Sequence, residues 1–289
     1  MRIAVTGTTG RVGAALVRHL APHHEIIPLP RRICDLADTV SLKNALARTE
    51  CEVFINPAGL TSLEACEDDP ALAKRVNAEA PGEIETWASA RGVLVFHFST
   101  DYVFSGATPD LRTESETPAP VSEYARSKLA GEHAILRNPE NCVIRIAWVF
   151  GPEKPSFVDH QFDAALEGRP LAAVADKFSL PVYTRDLAIW IERLIHLKTS
   201  GIVHACNSGE PVTWHGLATA VAEEMVACGA LGAFPAIRSQ ALEEIASFRA
   251  KRPRFTAMDT RRLTEILGHT PRSWRDALAE YVRGRCSAC

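Results

Sequence analysis

Three glycines follow the first predicted strand of this 289-residue chain and open its first predicted helix. Residues 2–6 form a short apolar run, and the apolar positions of 11–20 recur at helical spacing. Gly7 and Gly10 occupy the turn that joins them, and Gly13 lies in the first turn of the helix. Glycines let a backbone approach a pyrophosphate closely, and a helix N-terminus attracts its charge. In this position the triplet predicts a dinucleotide-binding loop, with a ligand-free tight turn as the alternative.

Apolar runs and helical patterns alternate through the first half of the chain. Further strands are predicted at 25–29, 52–55, 93–98 and 143–148, with helical patterns between them. A long helix is expected over 71–90. This order predicts an α/β fold, a doubly wound parallel sheet of Rossmann type with right-handed crossovers.

The pattern changes near residue 150, where prolines begin to punctuate the chain. We therefore predict an NAD(P)-binding Rossmann domain over 1–150 and a smaller, mostly helical substrate-binding portion over 151–289. A strand at 201–205 is expected to return from the second part to the main sheet.

Composition narrows the class of protein. With 46% hydrophobic residues, a net charge of −3 and no apolar run near the ~20 residues of a membrane span, we expect neither a nucleic-acid nor a membrane partner. Residues 1–5 already belong to the first strand, so no leader peptide and a cytoplasmic location are expected. Eight scattered cysteines, including Cys286 and Cys289 in the tail, are expected to be free thiols.

The end of the second strand bears on the choice of cofactor. An acidic residue there binds the ribose 2′-hydroxyl of NAD, whereas arginines suit the 2′-phosphate of NADP. Arg31 and Arg32 come first, and no acid follows until Asp35. Arg11 is a further candidate for that phosphate. NADP(H) is therefore favoured, and NAD(H) stays open because both arginines could be plain surface charges.

A tyrosine and a lysine four residues apart, Tyr124 and Lys128, share one face of a predicted helix. A phenol with a pKa of about 10 is a poor acid or base at neutral pH until a nearby cation favours its ionised form. Lys128 can supply that cation and hold a ribose. Thr100 follows the strand at 93–98, where ligands of parallel sheets bind, so it is expected to hydrogen-bond a substrate carbonyl.

Six segments carry a likeness to a known family. They are GTTGRVG (7–13), INPAGLT (55–61), FSTDYVFSG (98–106), SEYARSKLAGE (122–132), RIAWVFGP (145–152) and GIVHACNSGEPVTW (201–214). Together they resemble the extended short-chain dehydrogenase/reductases, and more narrowly the dTDP-4-dehydrorhamnose reductase family. The resemblance covers nearly the whole chain.

The resemblance implies a mechanism in which NAD(P)H reduces the ketone of a 4-keto-6-deoxy nucleotide-sugar. Tyr124 would protonate the oxygen, Lys128 would tune Tyr124, and Thr100 would steady the oxygen. The implied cofactor residues are Gly7, Thr9, Gly10, Arg11, Val12, Gly13, Arg31, Arg32, Asp35, Leu36, Ala58, Gly59, Leu60, Ser99, Tyr124 and Lys128. The implied substrate residues are Thr100, Asp101, Tyr102, Val103 and Trp148, with core packing as the alternative for Trp148. A homodimer is implied by the resemblance alone.

The likeness is weakest at 176–182, which reads Asp-Lys-Phe-Ser-Leu-Pro-Val where the family usually has Asp-Gln and later Gly-x-Pro-Thr. The departure leaves the identity of the sugar open. The acidic residues that bind magnesium in some relatives have no counterpart in 11–20, so no metal is predicted.

Two other functions, dehydration and non-catalytic regulation, are alternatives to reduction. Related dehydratases carry an Asp-Glu pair after the threonine, whereas Asp101 is followed here by Tyr102, which argues against elimination of water. The alternative is a non-catalytic NADP-binding regulatory subunit, since the β-subunit of methionine adenosyltransferase resembles the same family. The complete set of catalytic residues favours the reductase, and His97 is expected to be structural because Tyr124 already supplies a proton.

Overall fold

A computed structural model describes residues 1–287. Residues 288 and 289, which include Cys289 and end the predicted 151–289 portion, lie outside the described residues. The strands are β1 (Arg2–Thr6), β2 (Glu25–Leu29), β3 (Val53–Asn56), β4 (Leu94–Thr100), β5 (Cys142–Ile146), β6 (Val149–Phe150), β7 (Leu171–Val174), β8 (Phe178–Ser179), β9 (Val182–Tyr183), β10 (Gly201–His204), β11 (Val212–Thr213) and β12 (Ile237–Gln240). The helices are α1 (Arg11–Leu20), α2 (Thr39–Ala47), α3 (Leu63–Asp68), α4 (Pro70–Lys74), α5 (Ala80–Ser89), α6 (Glu123–Ile135), α7 (Phe157–Leu166), α8 (Thr184–His196), α9 (Trp214–Ala227), α10 (Arg261–Leu267) and α11 (Trp274–Cys286).

Six strands form one parallel sheet in the order β10-β5-β4-β3-β1-β2. The predicted α/β fold with a parallel sheet is confirmed. Strand β10 pairs with β5 at the edge, so the predicted return of the later chain to the main sheet is also confirmed.

Alternate residues of the central strands point to opposite faces of the sheet, and each face has its own apolar core. Ile3 and Val5 of β1 belong to the core that includes α1 and α8, whereas Ala4 belongs to the core that includes α2 and α5. Because both faces are covered, these strands appear in the sequence as nearly continuous apolar runs.

The strand order reverses between β1 and β3, and open α/β sheets bind ligands at the carboxyl ends of strands beside such a point. Strand β1 ends at Thr6, directly before the glycine loop. Strands β3 and β4 end at Asn56 and Thr100. The predicted cofactor and catalytic segments therefore follow strands that end along one edge of the sheet.

The helix predicted over 71–90 is interrupted by a π-helical turn, Arg75–Glu79, between α4 and α5. Pro81 has no N–H to offer the carbonyl of Asn77, and the N–H of Ala80 instead donates to the carbonyl of Arg75, five residues back. The predicted long helix is present, and the proline interior to it changes the hydrogen bonding of one turn.

The strand predicted over 143–148 is also shorter than expected. Strand β5 ends at Ile146, and the chain reaches the two-residue β6 only after Trp148, whose φ of +43° lies in the left-handed region. A strand requires a strongly negative φ, so Trp148 separates the two segments.

The prediction of free thiols is wrong for Cys228 and Cys286, which form a disulfide between the end of α9 and α11. These helices pack against each other and bring together two cysteines 58 residues apart, which spacing in the sequence does not reveal. The described free thiols are Cys34, Cys51, Cys66, Cys142 and Cys206. Among residues 1–287, none of the helices has both the length and the apolar character of a membrane span.

Candidate active site

Two close backbone approaches shape the glycine loop between β1 and α1. Gly7 has a φ of +56°, which glycine adopts without strain. A Cβ on Gly13 would lie 2.3 Å from the carbonyl oxygen of Gly7, so only glycine lets α1 begin this close to the loop. A Cβ on Gly7 would in turn lie 3.2 Å from Ala58, which follows β3. The structure thus brings the predicted cofactor segments 7–13 and 58–60 into contact.

Asn77, fully buried in the π-helical turn, holds the 58–60 segment in place. Its Oδ1 accepts a hydrogen bond from the N–H of Leu60 (2.9 Å), and its Nδ2 donates to the Leu60 carbonyl (2.9 Å) and to Ser127 Oγ (3.0 Å). Ser127 lies on α6, so Asn77 joins the cofactor segment to the helix that carries Tyr124 and Lys128. Sequence reasoning missed Asn77; a polar residue four positions before a proline in a helical pattern is the signal that could have found it.

Thr100 and Tyr124 come together at the carboxyl end of β4. The buried Thr100 hydroxyl donates to Asp101 Oδ1 (3.2 Å) and accepts from the N–H of Tyr102 (3.2 Å). Tyr124 lies in the first turn of α6, its ring edge-on to that of Tyr102 with centroids 5.9 Å apart. Burial raises the pKa of the Tyr124 phenol, and the Thr100 hydroxyl opposes that rise. The phenol therefore keeps its proton at neutral pH, as a proton donor must.

A buried chain of polar side chains crosses the sheet and ends at Lys128. Thr6 Oγ1 donates to Asn56 Oδ1 (2.6 Å), and Asn56 Nδ2 lies 3.1 Å from His97 Nδ1. His97 Nε2 in turn lies 3.5 Å from Lys128 Nζ, which also donates to the carbonyl of Phe98 (2.6 Å). Sequence reasoning missed Thr6 and Asn56, although a polar residue closing each of two apolar strands was a usable signal.

Burial lowers the pKa values of both titratable groups in this row of polar side chains. It lowers the pKa of Lys128 to about 8, and burial together with the Lys128 charge holds the pKa of His97 well below its ordinary range. A Cβ on Gly59 would lie 3.7 Å from Lys128 Nζ, so the ammonium lies beside the predicted cofactor segment. The role of Lys128 in tuning Tyr124 stays a prediction.

The lowered pKa of Lys128 predicts a pH-dependent difference in stability between the native chain and Lys128→Met. Between pH 8 and 10.5 the folded lysine loses its proton while the unfolded one keeps it, so the unfolded state binds more protons. The free energy of unfolding of the native chain, relative to the variant, should therefore rise with pH across this window, by up to about 1.4 kcal/mol per pH unit.

Urea unfolding at several pH values measures this difference, and the titrations of cysteines and tyrosines cancel because both proteins contain them. Lys43→Met is the matched control, since Lys43 is exposed and its ammonium meets water in both states. A flat difference for Lys128→Met would contradict the prediction.

The unusual 176–182 segment packs onto Asp101, a predicted substrate residue that is buried. Ser179 Oγ donates to Asp101 Oδ2 (3.0 Å), and the Thr256 hydroxyl donates to the same oxygen. Burial raises the pKa of Asp101, while Lys177 and these hydroxyls oppose the rise. Ser179, from the segment that departs from the family pattern, is thus hydrogen-bonded directly to a predicted substrate residue.

Lys177 is fully buried beneath these residues. Its Nζ donates to the Pro253 carbonyl (2.7 Å) and lies 4.5 Å from the ring centroid of Tyr102 and 5.8 Å from that of Trp148. Burial lowers its pKa to about 8, against the opposing charge of Asp101. Lys177 therefore lies between Tyr102, which follows β4, and Trp148.

Trp148 lines a cavity of about 410 Å³ whose wall also includes Arg11, Phe157, Trp214 and Phe248. Its ring lies 5.5 Å from that of Trp214, and its Nε1 is buried without a hydrogen-bond partner. The positive φ and the unpaired donor set Trp148 apart from an ordinary core residue, because strained backbone and unsatisfied polar atoms concentrate at ligand sites.

The remaining predicted cofactor residues differ in exposure and in hydrogen-bond partners. Arg31 Nε donates to Asp35 Oδ2 (3.1 Å), and both Arg31 and Arg32 are exposed. The Arg11 guanidinium donates to the carbonyls of Lys154 (3.1 Å) and Pro155 (2.5 Å). The other residues of the predicted set are Thr9, which is exposed, Gly10 and Val12, which are half-buried, and Leu36, which is buried, as is the predicted substrate residue Val103.

Ser99, also predicted to contact the cofactor, is bound to a buried ion pair. Its Oγ donates to Glu132 Oε1 (2.5 Å), and Arg145 donates to both oxygens of Glu132 (2.9 and 2.6 Å). Both charged side chains are 1% exposed. Glu132 lies one turn after Lys128, so this pair anchors α6, the helix that carries Tyr124 and Lys128, to β5.

The parallel sheet, the glycine loop and the Thr100, Tyr124 and Lys128 group define an extended short-chain dehydrogenase/reductase. A family model described as the RmlD substrate binding domain matches residues 1–285. The chain belongs to this family, that of dTDP-4-dehydrorhamnose reductase and its relatives, and the predicted family and enzyme class are confirmed.

Individual relatives match along nearly their whole length. The spore coat polysaccharide biosynthesis protein SpsK of Bacillus subtilis is 32% identical over 290 residues, covering 100% of this chain and 99% of the relative. A dTDP-4-dehydrorhamnose reductase of Burkholderia thailandensis is 32% identical, covering 98% of each. The crystal structure of a dTDP-4-dehydrorhamnose reductase of Clostridium acetobutylicum superposes with a TM-score of 0.89 at 27% identity, covering 99% of this chain and 100% of that one.

Proposed function

We propose that this protein is an NAD(P)H-dependent reductase that converts the ketone of a 4-keto-6-deoxy nucleotide-sugar into an alcohol. The observation that carries the proposal is the meeting of the Tyr124 phenol and the Thr100 hydroxyl at the carboxyl end of β4, with Lys128 one turn further along α6. A relative 32% identical over 98% of this chain is named dTDP-4-dehydrorhamnose reductase, which supports a dTDP-linked sugar.

The chain fits a dinucleotide at the crevice between β1 and β3. Backbone approaches at Gly7 and Gly13 leave room where side chains would intrude, and the N-terminus of α1 suits a pyrophosphate. The 1–150 part would hold the cofactor and the later part would cover the substrate. When bound, the dinucleotide supplies hydride to the ketone carbon.

The residues of this chain supply the proton and the positioning. Thr100 would donate a hydrogen bond to the substrate oxygen, and Tyr124 would transfer its proton to that oxygen as negative charge develops there. The Lys128 ammonium, beside Gly59, would bind the cofactor ribose. Its positive charge would offset the negative charge left on Tyr124 after the proton is transferred. The aromatic cavity at Trp148 and Trp214 would stack on the base of the nucleotide-sugar.

The test is oxidation of NADPH by the purified protein with dTDP-4-keto-6-deoxy-L-mannose, run in parallel with NADH. Turnover with NADPH supports the proposal. Tight NADPH binding without turnover contradicts this substrate, and a stoichiometric enzyme that co-purifies with the protein would favour the regulatory subunit instead. The homodimer and the cytoplasmic location stay predictions.

The preference for NADPH makes a separate prediction. Replacing Arg31 and Arg32 together by serine should raise KM for NADPH about tenfold to a hundredfold, because charge-assisted hydrogen bonds to the 2′-phosphate are lost, and should leave KM for NADH unchanged. Arg169→Ser, an exposed arginine paired with Glu167, is the matched control. An equal rise in KM for NADPH and for NADH would show that these arginines do not bind the 2′-phosphate.

A further inference from the structure

Three histidines and a glutamate cluster between α1 and α8, outside the candidate active site. His19 lies in the last turn of α1 and His24 directly precedes β2. Glu192 and His196 lie four residues apart on α8, on one face of the helix. The glycine loop is at the opposite end of α1, about 15 Å away along the ten-residue helix.

The imidazoles converge on one carboxylate. Glu192 accepts at Oε2 from His19 Nε2 (2.8 Å), and its Oε1 lies 3.2 Å from His24 Nε2. The His196 ring centroid lies 5.5 Å from that of His24. One coordinating atom from each of His24, Glu192 and His196 lies within 4.8 Å of the others.

His24 is not satisfied by hydrogen bonding alone. Its side chain is 5% exposed, and its Nδ1 is buried without a partner. A neutral imidazole whose one proton serves Glu192 leaves a bare lone pair on the other nitrogen. A buried nitrogen of this kind has unused capacity for a proton or a metal ion.

We propose that His24, Glu192 and His196 form a binding site for a divalent transition-metal ion, with Zn²⁺ as the favoured ion. Imidazole nitrogen and carboxylate oxygen in a set of three, with water as the fourth ligand, match the preferences of zinc. Two ligand atoms on a tetrahedral zinc lie about 3.4 Å apart, so the coordinating atoms of the three residues, already within 4.8 Å of one another, need only small shifts to bind one ion. His196 is exposed and free to close the remaining distance by a change of rotamer.

His19 acts on this site through Glu192. By donating to Oε2 it orients the carboxylate and leaves Oε1 toward His24, the role of an outer hydrogen-bond partner in zinc sites. A bound ion would join the β1-α1-β2 unit to α8, so binding should raise the melting temperature. The sequence-based prediction of no metal rested on the absence of acidic residues in 11–20. The site proposed here uses different residues, which come from separate elements of the fold.

The experiment is titration of tag-free, chelator-treated full-length protein with Zn²⁺, followed by calorimetry and thermal unfolding. We expect one equivalent to bind, the melting temperature to rise, and His24→Gln and His196→Gln each to weaken binding about tenfold or more. His133→Gln, at an exposed histidine of α6, is the matched control and should bind as the native chain does.

Two results would overturn the proposal. One is the absence of Zn²⁺ binding by the native chain, and the other is unchanged binding by both variants, which would place the ion at another site. Since His196 is exposed, His196→Gln is expected to fold like the native chain, and far-UV circular dichroism checks this. The outcome is independent of the reductase assay, because binding is measured without substrate or dinucleotide.

Discussion

Replacing Tyr124 by phenylalanine is expected to lower kcat for ketone reduction by about 10²- to 10⁴-fold, with KM for NADPH nearly unchanged. The substitution removes only the hydroxyl, so the ring contact with Tyr102 is kept and the proton donor is lost. Steady-state kinetics with saturating NADPH measures the effect, and fluorescence titration checks that the cofactor still binds.

Tyr281→Phe is the matched control for that experiment. Tyr281 is also a buried phenol, but it lies on α11 and its hydroxyl donates to Asp159 Oδ1 (2.6 Å) rather than into the candidate active site. We expect its kcat to stay within about twofold of the native value while its stability falls by about 1 kcal/mol. Equal loss of activity in both variants would mean that the Tyr124 effect is structural, and unchanged activity in Tyr124→Phe would remove it as the proton donor.

Replacing Arg145 by methionine is expected to lower the free energy of unfolding by about 3–5 kcal/mol, measured by denaturant titration. The change leaves the Glu132 carboxylate buried without its cation, and only the Ser99 hydroxyl remains as a described side-chain donor to it. Loss of the guanidinium also removes its contact with the ring of Phe104, 5.0 Å away.

Two comparisons separate a buried ion pair from an ordinary one. Replacing both partners, with Glu132→Leu added to Arg145→Met, should recover most of the lost stability, because no uncompensated charge stays buried. Arg126→Ser, which breaks the exposed pair with Glu123, should cost at most about 1 kcal/mol. A loss of that small size in Arg145→Met would show that Glu132 finds another partner or a proton.

Much of the fold could be predicted from local patterns. The strand Arg2–Thr6 and the helix Arg11–Leu20 have the predicted bounds, because the hydrophobic period is clear and the glycine loop separates them. The structure departs from these patterns where a single residue changes local geometry. Pro81 introduces a π-helical turn into the predicted long helix, and the positive φ of Trp148 ends a predicted strand early.

Some residues of the candidate site could be predicted from the sequence and others could not. Thr100, Tyr124 and Lys128 could be singled out because a strand end and a four-residue helical spacing are properties of the nearby sequence. Asn77 was missed because its partners, Leu60 and Ser127, are 17 and 50 residues away in the chain. A polar residue shows its role only once its distant partners are known.

The sequence by itself determined the order of strands and helices, the glycine loop and the catalytic spacing, since each depends on periodicity or on neighbours within a few residues. Tertiary structure decided which charges are buried and what they meet. Lys177 lies beneath Asp101, Arg145 meets Glu132, and His19 and His24 meet Glu192 of α8 only after the sheet has formed. The physical reason is that desolvation and ion pairing depend on the surroundings in space, which the chain assembles from widely separated segments.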